Sequence, residues 1–223
     1  MVAYHEHNEA RTIPRILERL SAGEELALVS DAGTPLLSDP GARLVRAAVE
    51  RGIAVVPVPG ASALLAALVG AGLDAGRFTY FGFIERSGGA RDEVLREIAA
   101  TKHVAVLYEA PGRVAATLAA LAERGAAERE AVVARELTKK FEEFRRGTVV
   151  ELAAYYRDAP PRGETVILLG PAAAVQPDEA ALAAIARELR AEGASVRDVA
   201  RALSAEHGAP RNLAYRLAQE AGE

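Results

Sequence analysis

The chain has 223 residues, of which 50% are hydrophobic and 26% charged, a balance typical of a folded globular protein. Its formal net charge of −4 argues against a strongly basic nucleic-acid-binding protein, although it leaves room for a local basic patch. The sequence contains no cysteine, which excludes disulfides and thiolate metal sites, and no apolar run reaches the roughly 18 residues that span a bilayer. We therefore expect one or two folded domains in the cytoplasm, with neither a metal nor a membrane partner.

The first 20 residues predict a polar start followed by a helix. His5 and His7 form an H-x-H pair, which on an extended strand would point both rings to one side. A metal site is conceivable there, but no third ligand is evident, and Glu6 and Glu9 fit a solvated surface equally well. Apolar residues at helical spacing then predict an amphipathic helix over about 10–20.

Two successive units of strand, loop and helix follow. The first comprises a strand at Leu26–Val29, a loop at Ser30–Gly41 and a helix over 41–51. The second comprises a β-branched strand at Ile53–Val58, a Pro-Gly turn and a helix over about 62–71. Two such units favour a parallel sheet with helices on its faces, and such sheets bind ligands at the carboxyl ends of their strands.

The loop Ser30–Gly41 combines small, polar and turn-forming residues. Asp31 stands where the predicted strand ends and could accept hydrogen bonds from an ammonium group or a ribose. Asp39 could cap the next helix, and Ser62 could cap the helix after it or, with the Ala63 N–H, meet a carboxylate. From spacing alone, ordinary capped turns explain these residues at least as well.

A glycine-rich stretch over 70–76 predicts a boundary, so we expect a first domain at 1–74 and a second at 77–170. The pattern of the second domain predicts alternating strands and helices. We expect strands at 77–84, 104–108, 131–134 and 165–169, an extended piece within 140–151, and helices at 90–100, 114–124 and 151–157.

A linker over 171–177 precedes a helical tail at 178–223. Three helices are predicted in this tail, at about 178–192, 196–206 and 211–220, and the sequence Ser195-Val-Arg-Asp198 is a capping box. The tail is similar to a small helix-turn-helix. Four of its arginines could contact phosphate, although arginines on a surface helix are more often solvated; they are Arg197, Arg201, Arg211 and Arg216.

Six blocks of sequence, taken in order, resemble one family. They are Tyr4–Glu9 (YHEHNE), Ser30–Gly41 (SDAGTPLLSDPG), Pro59–Ala63 (PGASA), Tyr108–Arg113 (YEAPGR), Arg135–Lys139 (RELTK) and Arg162–Glu164 (RGE). On these residues the chain resembles the ribosomal RNA small subunit methyltransferase I family, within the tetrapyrrole methylase-like superfamily of S-adenosylmethionine-dependent enzymes. The resemblance covers essentially the whole chain.

The resemblance implies an α/β fold of two domains, a parallel-sheet N-terminal domain and a mixed-sheet second domain, with the helical tail. The family normally begins with a strand and a Pro-Ile-Gly-Asn-Leu-type loop that nothing here matches. We therefore expect the first domain to be truncated, with exposed strand edges. Gly112 stands where the family commonly has histidine, which weakens the transfer of a catalytic role to that loop.

The activity implied by the resemblance is methyl transfer from S-adenosylmethionine to the ribose 2′-hydroxyl of a cytidine in 16S rRNA of the small ribosomal subunit. It also implies a cytoplasmic homodimer. The reaction needs in-line attack, a hydroxyl held in position, and a base or an oriented hydrogen bond. Two alternatives stay open: a small-molecule methylase of the tetrapyrrole type, and an inactive fragment or nucleic-acid-binding protein without catalysis.

The resemblance assigns the cofactor to the cleft between the two domains. The cofactor residues it implies are Asp31, Ala32, Gly33, Thr34, Leu36, Leu37, Ser62 and Ala63, together with Leu137, Glu164 and Thr165 at the adenine end. The candidates to hold RNA phosphate are Arg113, Arg135 and Lys139, and the candidate bases are Glu109 and Glu136. Both acids could equally be structural partners of these cations, and we favour that interpretation.

Overall fold

A five-stranded mixed sheet forms the centre of the fold. In this computed structural model, which describes residues 1–172 and 178–222, the strand order across the sheet is β1-β2-β5-β3-β4. The strands are Phe78–Phe83 (β1), Val104–Glu109 (β2), Glu130–Arg135 (β3), Glu143–Thr148 (β4) and Thr165–Leu169 (β5). β1 and β2 are parallel, and the β2–β5, β5–β3 and β3–β4 pairs are antiparallel. The predicted mixed sheet is confirmed.

Contacts divide the chain into two units, Met1–Ala172 and Ala173–Glu223. The helices of the first unit are Glu9–Ser21 (α1), Ala42–Glu50 (α2), Ala63–Ala71 (α3), Gly89–Ala100 (α4), Val114–Leu121 (α5) and Val149–Asp158 (α6). Those of the second unit are Glu179–Ala191 (α7), Val196–Glu206 (α8) and Arg211–Glu220 (α9). These nine α-helices of residues 1–172 and 178–222 match predicted helices to within a few residues. Most of the predicted linker, 173–177, lies outside the described residues.

Helices cover both faces of the sheet, because successive side chains along a strand point to opposite faces and both sets are apolar here. Along β2, Ala105 and Leu107 pack into the cluster formed with α4, α5 and α6, whereas Val104 and Val106 pack into the cluster formed with α3. All four are 0% exposed. A strand that is buried on both faces has a continuous run of apolar residues. This run is the reason why the sequence predicted β2 correctly.

α3 is held at both of its ends. At its start, Ser62 Oγ accepts a hydrogen bond from the N–H of Leu65 at 3.4 Å, which confirms the predicted cap. At its end, Arg146 on β4 donates from Nε to the carbonyl oxygen of Ala71 at 3.0 Å and from Nη2 to that of Gly70 at 2.6 Å. The guanidinium therefore satisfies carbonyl groups that lack helical partners, at the end of the helix where a cation is favourable.

The two strands predicted in the first third of the chain do not form. Residues 1–76 contain α1, α2 and α3, and neither Leu26–Val29 nor Ile53–Val58 is a strand. Within the described residues, no ladder of backbone hydrogen bonds pairs Leu26–Val29 or Ile53–Val58 with another strand. A β-branched run becomes a strand only where a neighbouring strand supplies ladder partners. The strand predictions at these two segments were therefore wrong.

α1 and α2 pack on a small core of their own, centred on Leu17, Leu44 and Ala48. Glu9 at the start of α1 is only 6% exposed, which corrects the expectation of a solvated acid. The Tyr4 hydroxyl donates to Glu9 Oε1 at 2.8 Å, and burial, followed by this bond, raises the pKa of Tyr4 to about 12. A buried carboxylate needs such a partner.

The segment with His5 and His7 is a turn that leads into α1 rather than a strand. In residues 1–172 and 178–222, no group of three or more His, Cys, Asp or Glu side chains could hold a metal ion. Within the same ranges, no helix is both long enough and apolar enough to cross a membrane.

Candidate functional site

Backbone strain marks two loops near one end of the sheet. Across the described part of the chain, the non-glycine residues with positive φ number four, and they are Leu36 (74°), Ser38 (63°), Glu136 (49°) and Thr138 (64°). Side chains rarely adopt this conformation, which costs about 1–3 kcal/mol and persists where surrounding contacts impose it, often at ligand sites. The two loops that contain these residues, at 33–41 and 136–138, are the primary candidates for a functional site.

Thr34 joins the first loop to the turn that precedes α3. Its Oγ1 donates a hydrogen bond to the carbonyl oxygen of Ala61, 2.9 Å away. Ser62 and Ala63 follow directly at the start of α3. The structure therefore brings together Thr34, Ser62 and Ala63, which the sequence analysis had assigned to one cofactor site from separate blocks.

The first loop presents several of its predicted cofactor residues to solvent. Asp31, Ala32, Gly33 and Leu37 are exposed, while Leu36 is half-buried. The Asp31 carboxylate is therefore accessible to a ligand.

The cap of α2 differs from the prediction. The N-cap is Gly41, with φ of 133° and no side-chain hydrogen bond, so Asp39 does not cap the helix. The positive φ favours glycine at this position, and a Cβ at Gly41 would come within 2.6 Å of the Leu28 side chain, which would have to shift.

An aromatic wall lies beside the first loop. Ser38 Oγ and the Tyr80 hydroxyl are 2.7 Å apart. The ring centroid of Tyr108 lies 5.1 Å from that of Tyr80 and 5.5 Å from that of Phe83, both in edge-to-face geometry. Burial raises the pKa of Tyr80 and raises that of Tyr108 to about 12. Both hydroxyls are therefore neutral near pH 7 and can donate hydrogen bonds.

Ser38, Tyr80 and Tyr108 are not among the predicted site residues. A usable signal was present, because Tyr108 opens the YEAPGR block and Tyr80 lies in the aromatic run that became β1. β1 and β2 are parallel neighbours, which places the aromatic residues near their carboxyl ends side by side. Leu137 packs against the same hydrophobic cluster as the two tyrosines, so the second strained loop lies on the same face of the sheet as this wall.

Glu109 lies inside the fold, and its side chain is 0% exposed. Oε2 accepts a hydrogen bond from Thr117 Oγ1 at 2.6 Å. Oε1 accepts one from the Ala110 N–H at 2.8 Å and lies 3.2 Å from Arg113 Nε. Both carboxylate oxygens are occupied by protein groups, so the geometry favours the structural interpretation of Glu109 over a role as base.

Arg113 is also engaged by the protein. Its Nη2 donates to the carbonyl oxygens of Ile84 and Glu85 at 3.0 and 2.9 Å. Arg91 donates to the carbonyl oxygen of Glu85 at 2.9 Å and to Thr117 Oγ1 at 3.0 Å, and burial lowers its pKa. The two guanidinium groups fix the segment that leaves β1.

A cluster of charged groups joins the loop after β3 to the loop before β5. Lys139 Nζ lies 2.8 Å from Glu164 Oε2 and 3.1 Å from Glu136 Oε1. The Glu164 N–H also donates to Glu136 Oε1 at 3.1 Å, and this bond is the main reason why the pKa of Glu136 is lowered. The bond to Glu164 raises the pKa of Lys139. A carboxylate with a lowered pKa is a weaker base, so these contacts suit Glu136 to holding the loop.

Thr165 and Arg135 face partners within the sheet. Thr165 is 3% exposed, pairs across the sheet with Glu109 and Arg135, and donates from Oγ1 to the carbonyl oxygen of Glu109. The Thr165 side chain is therefore engaged within the sheet, and the predicted contact of Glu164 and Thr165 with the adenine end of the cofactor stays a prediction. Arg135 Nε donates to Glu143 Oε2 at 2.7 Å, so this cation is also paired.

The match to a family model gives the class of this protein. Residues 2–153 match the model described as Tetrapyrrole (Corrin/Porphyrin) Methylases, and the chain belongs to this family. The relatives with which it aligns share a more specific name than that of the family model. It is 44% identical over 191 residues to the "Ribosomal RNA small subunit methyltransferase I" of Mesorhizobium japonicum, covering 85% of this chain and 65% of the relative. It is 48% identical over 175 residues to the protein of the same name from Xylella fastidiosa, covering 78% and 64%.

The chain therefore spans less than two thirds of the length of these relatives. Among solved structures, it is similar to uroporphyrin-III C-methyltransferase from Thermus thermophilus in complex with S-adenyl homocysteine. The TM-score is 0.54 at 21% identity, with 75% of each chain covered. This likeness confirms the predicted α/β fold class with its mixed sheet.

Proposed function

We propose that this chain is part of an S-adenosylmethionine-dependent methyltransferase that modifies the ribose 2′-hydroxyl of a cytidine in 16S rRNA of the small ribosomal subunit. The names of relatives that are 44% and 48% identical support the reaction class and the substrate. The observation that carries the proposal in this chain is the strain in two loops, since Leu36 and Ser38 lie in the SDAGTPLLSDPG block and Glu136 and Thr138 in the RELTK block.

The residues of the first loop fit S-adenosylmethionine. The exposed carboxylate of Asp31 suits the ammonium group or the ribose hydroxyls of the cofactor. The half-buried Leu36 side chain and the wall of Tyr80 and Tyr108 offer apolar and aromatic surface for its less polar parts. The Ala63 N–H at the start of α3 suits its carboxylate. When bound, the cofactor supplies an electrophilic methyl group.

The chain's own residues contribute mainly by positioning. A ribose hydroxyl is a weak nucleophile, so holding it in line with the methyl group provides a large part of the rate. We assign Glu109, Arg113 and Arg135 to fixing the loops, because all three are paired within the protein. Lys139, with 47% of its side chain exposed, is the cation best placed to contact RNA phosphate. Glu136 holds Lys139 in place.

Calorimetric titration of S-adenosylmethionine into the chain tests the cofactor site. Asp31→Asn should weaken binding at least tenfold, about 1.4 kcal/mol, because a charge-assisted contact is lost. Asp158→Asn is the matched control, since it removes the same charge from a side chain that is 75% exposed on α6. Equal affinities for the two variants would contradict the placement of the cofactor.

A second assay tests the substrate. The chain is incubated with cofactor that carries a labelled methyl group and with small ribosomal subunits, and a parallel reaction contains a free tetrapyrrole. We expect label in the RNA, at the ribose of a cytidine. Label in the tetrapyrrole would instead support the small-molecule alternative. The homodimer and the cytoplasmic location stay predictions.

A further inference from the structure

The second unit contains an open groove between α8 and α9. Its volume is about 460 Å³, and its walls carry Arg197, Arg201, Ser204, Arg211 and Tyr215, with alanines between them. None of the lining residues is acidic. The groove therefore combines three cations, a hydroxyl and an aromatic ring in one concave surface.

Helical spacing explains why these side chains share one surface. Arg197 and Arg201 are four residues apart on α8, and Arg211 and Tyr215 are four residues apart on α9, so each pair lies on one face of its helix. The opposite faces form the core of this unit, in which Leu203 and Leu217 are buried. The amphipathic pattern that builds the core thus also gathers the arginines.

Ion pairs distinguish two of the three groove arginines, Arg197 and Arg211, from their neighbour Arg216. Arg216, one residue beyond Tyr215, lies 2.7 Å from Glu179 and 3.7 Å from Glu220 and does not line the groove. Arg201 is paired with Asp198, which does not line the groove. Among the ion pairs of residues 178–222, none involves Arg197 or Arg211.

We propose that this groove binds a segment of single-stranded RNA, with the guanidinium groups on phosphates and the Tyr215 ring stacked on a base. Arginine forms paired hydrogen bonds to phosphate, and an aromatic ring accepts any base, so the combination favours a single strand of unrestricted sequence. A recognition helix that enters a duplex must protrude, whereas these arginines line a concavity. The inference rests on the proposed function only for the choice of RNA over DNA.

The test measures binding of the full chain to a labelled single-stranded RNA of about 12 nucleotides by fluorescence anisotropy, over a range of salt concentrations and without cofactor. The double variant R197Q/R211Q should lose at least tenfold in affinity. Because two phosphate contacts are removed, the slope of log K against log salt should become shallower by about 1.4. R216Q changes the net charge on the same helix and should stay within about twofold of the parent chain.

The ring is tested separately from the charge. Tyr215→Leu keeps an apolar side chain but removes the stacking surface, and we expect a loss of roughly tenfold. Tyr215→Phe keeps the ring and should bind like the parent. Circular dichroism of each variant verifies that α8 and α9 remain folded.

Three results would overturn the inference. R216Q could weaken binding as much as R197Q/R211Q does, which would indicate a response to net charge alone. If neither R197Q/R211Q nor Tyr215→Leu changed the affinity, RNA would bind elsewhere on the chain. The groove variants could alter binding of duplex and not of single strands, which would support the helix-turn-helix interpretation. Binding of RNA in the groove by a chain that binds no S-adenosylmethionine would contradict the proposed function and leave the groove assignment intact.

Discussion

The sheet region and the first 62 residues of the chain are held in place by different kinds of contact. The sheet is buried on both faces, and its core side chains, such as Leu107 and Ile167, are 0% exposed. The first 62 residues contain one small core of three buried apolar residues and long stretches without backbone pairing. Such regions open locally at low free-energy cost. The predicted cofactor loop therefore lies in the less stable region and depends on a few polar contacts with the more stable one.

The largest effect should come from the sheet region. Leu118→Ala in α5 removes a side chain that is 0% exposed, and we expect it to lower the free energy of unfolding by about 3 kcal/mol. Urea unfolding, followed by circular dichroism, measures this change. Val69→Ala, at a side chain that is 88% exposed on α3, should leave the midpoint nearly unchanged. Similar losses for both would contradict the assignment of the core.

A smaller loss should follow from the buried acid at the end of β2. Glu109→Gln keeps the shape but removes the charge that faces Arg113, and should cost about 2 kcal/mol of stability. If Glu109 is structural, methyl transfer per folded molecule should fall only modestly. A loss of 100-fold or more at unchanged stability would instead identify a catalytic base.

The contact between Ser38 and Tyr80 connects the two regions directly. Ser38→Ala and Tyr80→Phe should each weaken S-adenosylmethionine binding about fivefold, near 1 kcal/mol, without lowering the stability of the sheet. Because both remove one hydrogen bond, the double variant should be no weaker than either single variant. Additive losses would show that the two side chains act independently.

The smallest effect should be a dependence on pH of the order of the loop after β3, which the contacts among Glu136, Lys139 and Glu164 hold. The pKa of Glu136 is lowered from its usual 4.5, so its contribution to order is complete above that value and is lost as the pH falls through the folded pKa. The pKa of Lys139 is raised from 10.5, so its contribution is lost as the pH rises through the folded value. The Glu164 amide chemical shift should be flat between these limits. Glu136→Gln should remove the change on the acid side.

Much of the fold was readable from the sequence because local patterns and tertiary contacts agree there. β5 and α3 are continuous apolar runs bounded by turn residues, and both formed near their predicted limits. Ile53–Val58 has the same β-branched character, but a ladder partner is a tertiary property that a local pattern does not contain.

The site was predicted only in part for a similar reason. Thr34 and Ser62 were placed together because both lie in distinctive blocks. The burial of Thr165 depends on strand order, in which β5 lies between β2 and β3, and the contact of Ser38 with Tyr80 joins residues 42 positions apart. That order is not encoded in spacing along the chain.

Because α3 is attached at both ends, a substitution at one end of the helix can affect the position of the other end. The helix has nine residues and is about 13 Å long, with the Ser62 turn at one end and Arg146 of β4 at the other. A rigid rod transmits a shift at one end to the other. We therefore expect substitutions at Arg146, or at Gly70 where a Cβ would overlap the Phe144 ring, to weaken binding of S-adenosylmethionine at the proposed site. A mutational screen for such defects should recover positions in β4 that never touch the cofactor.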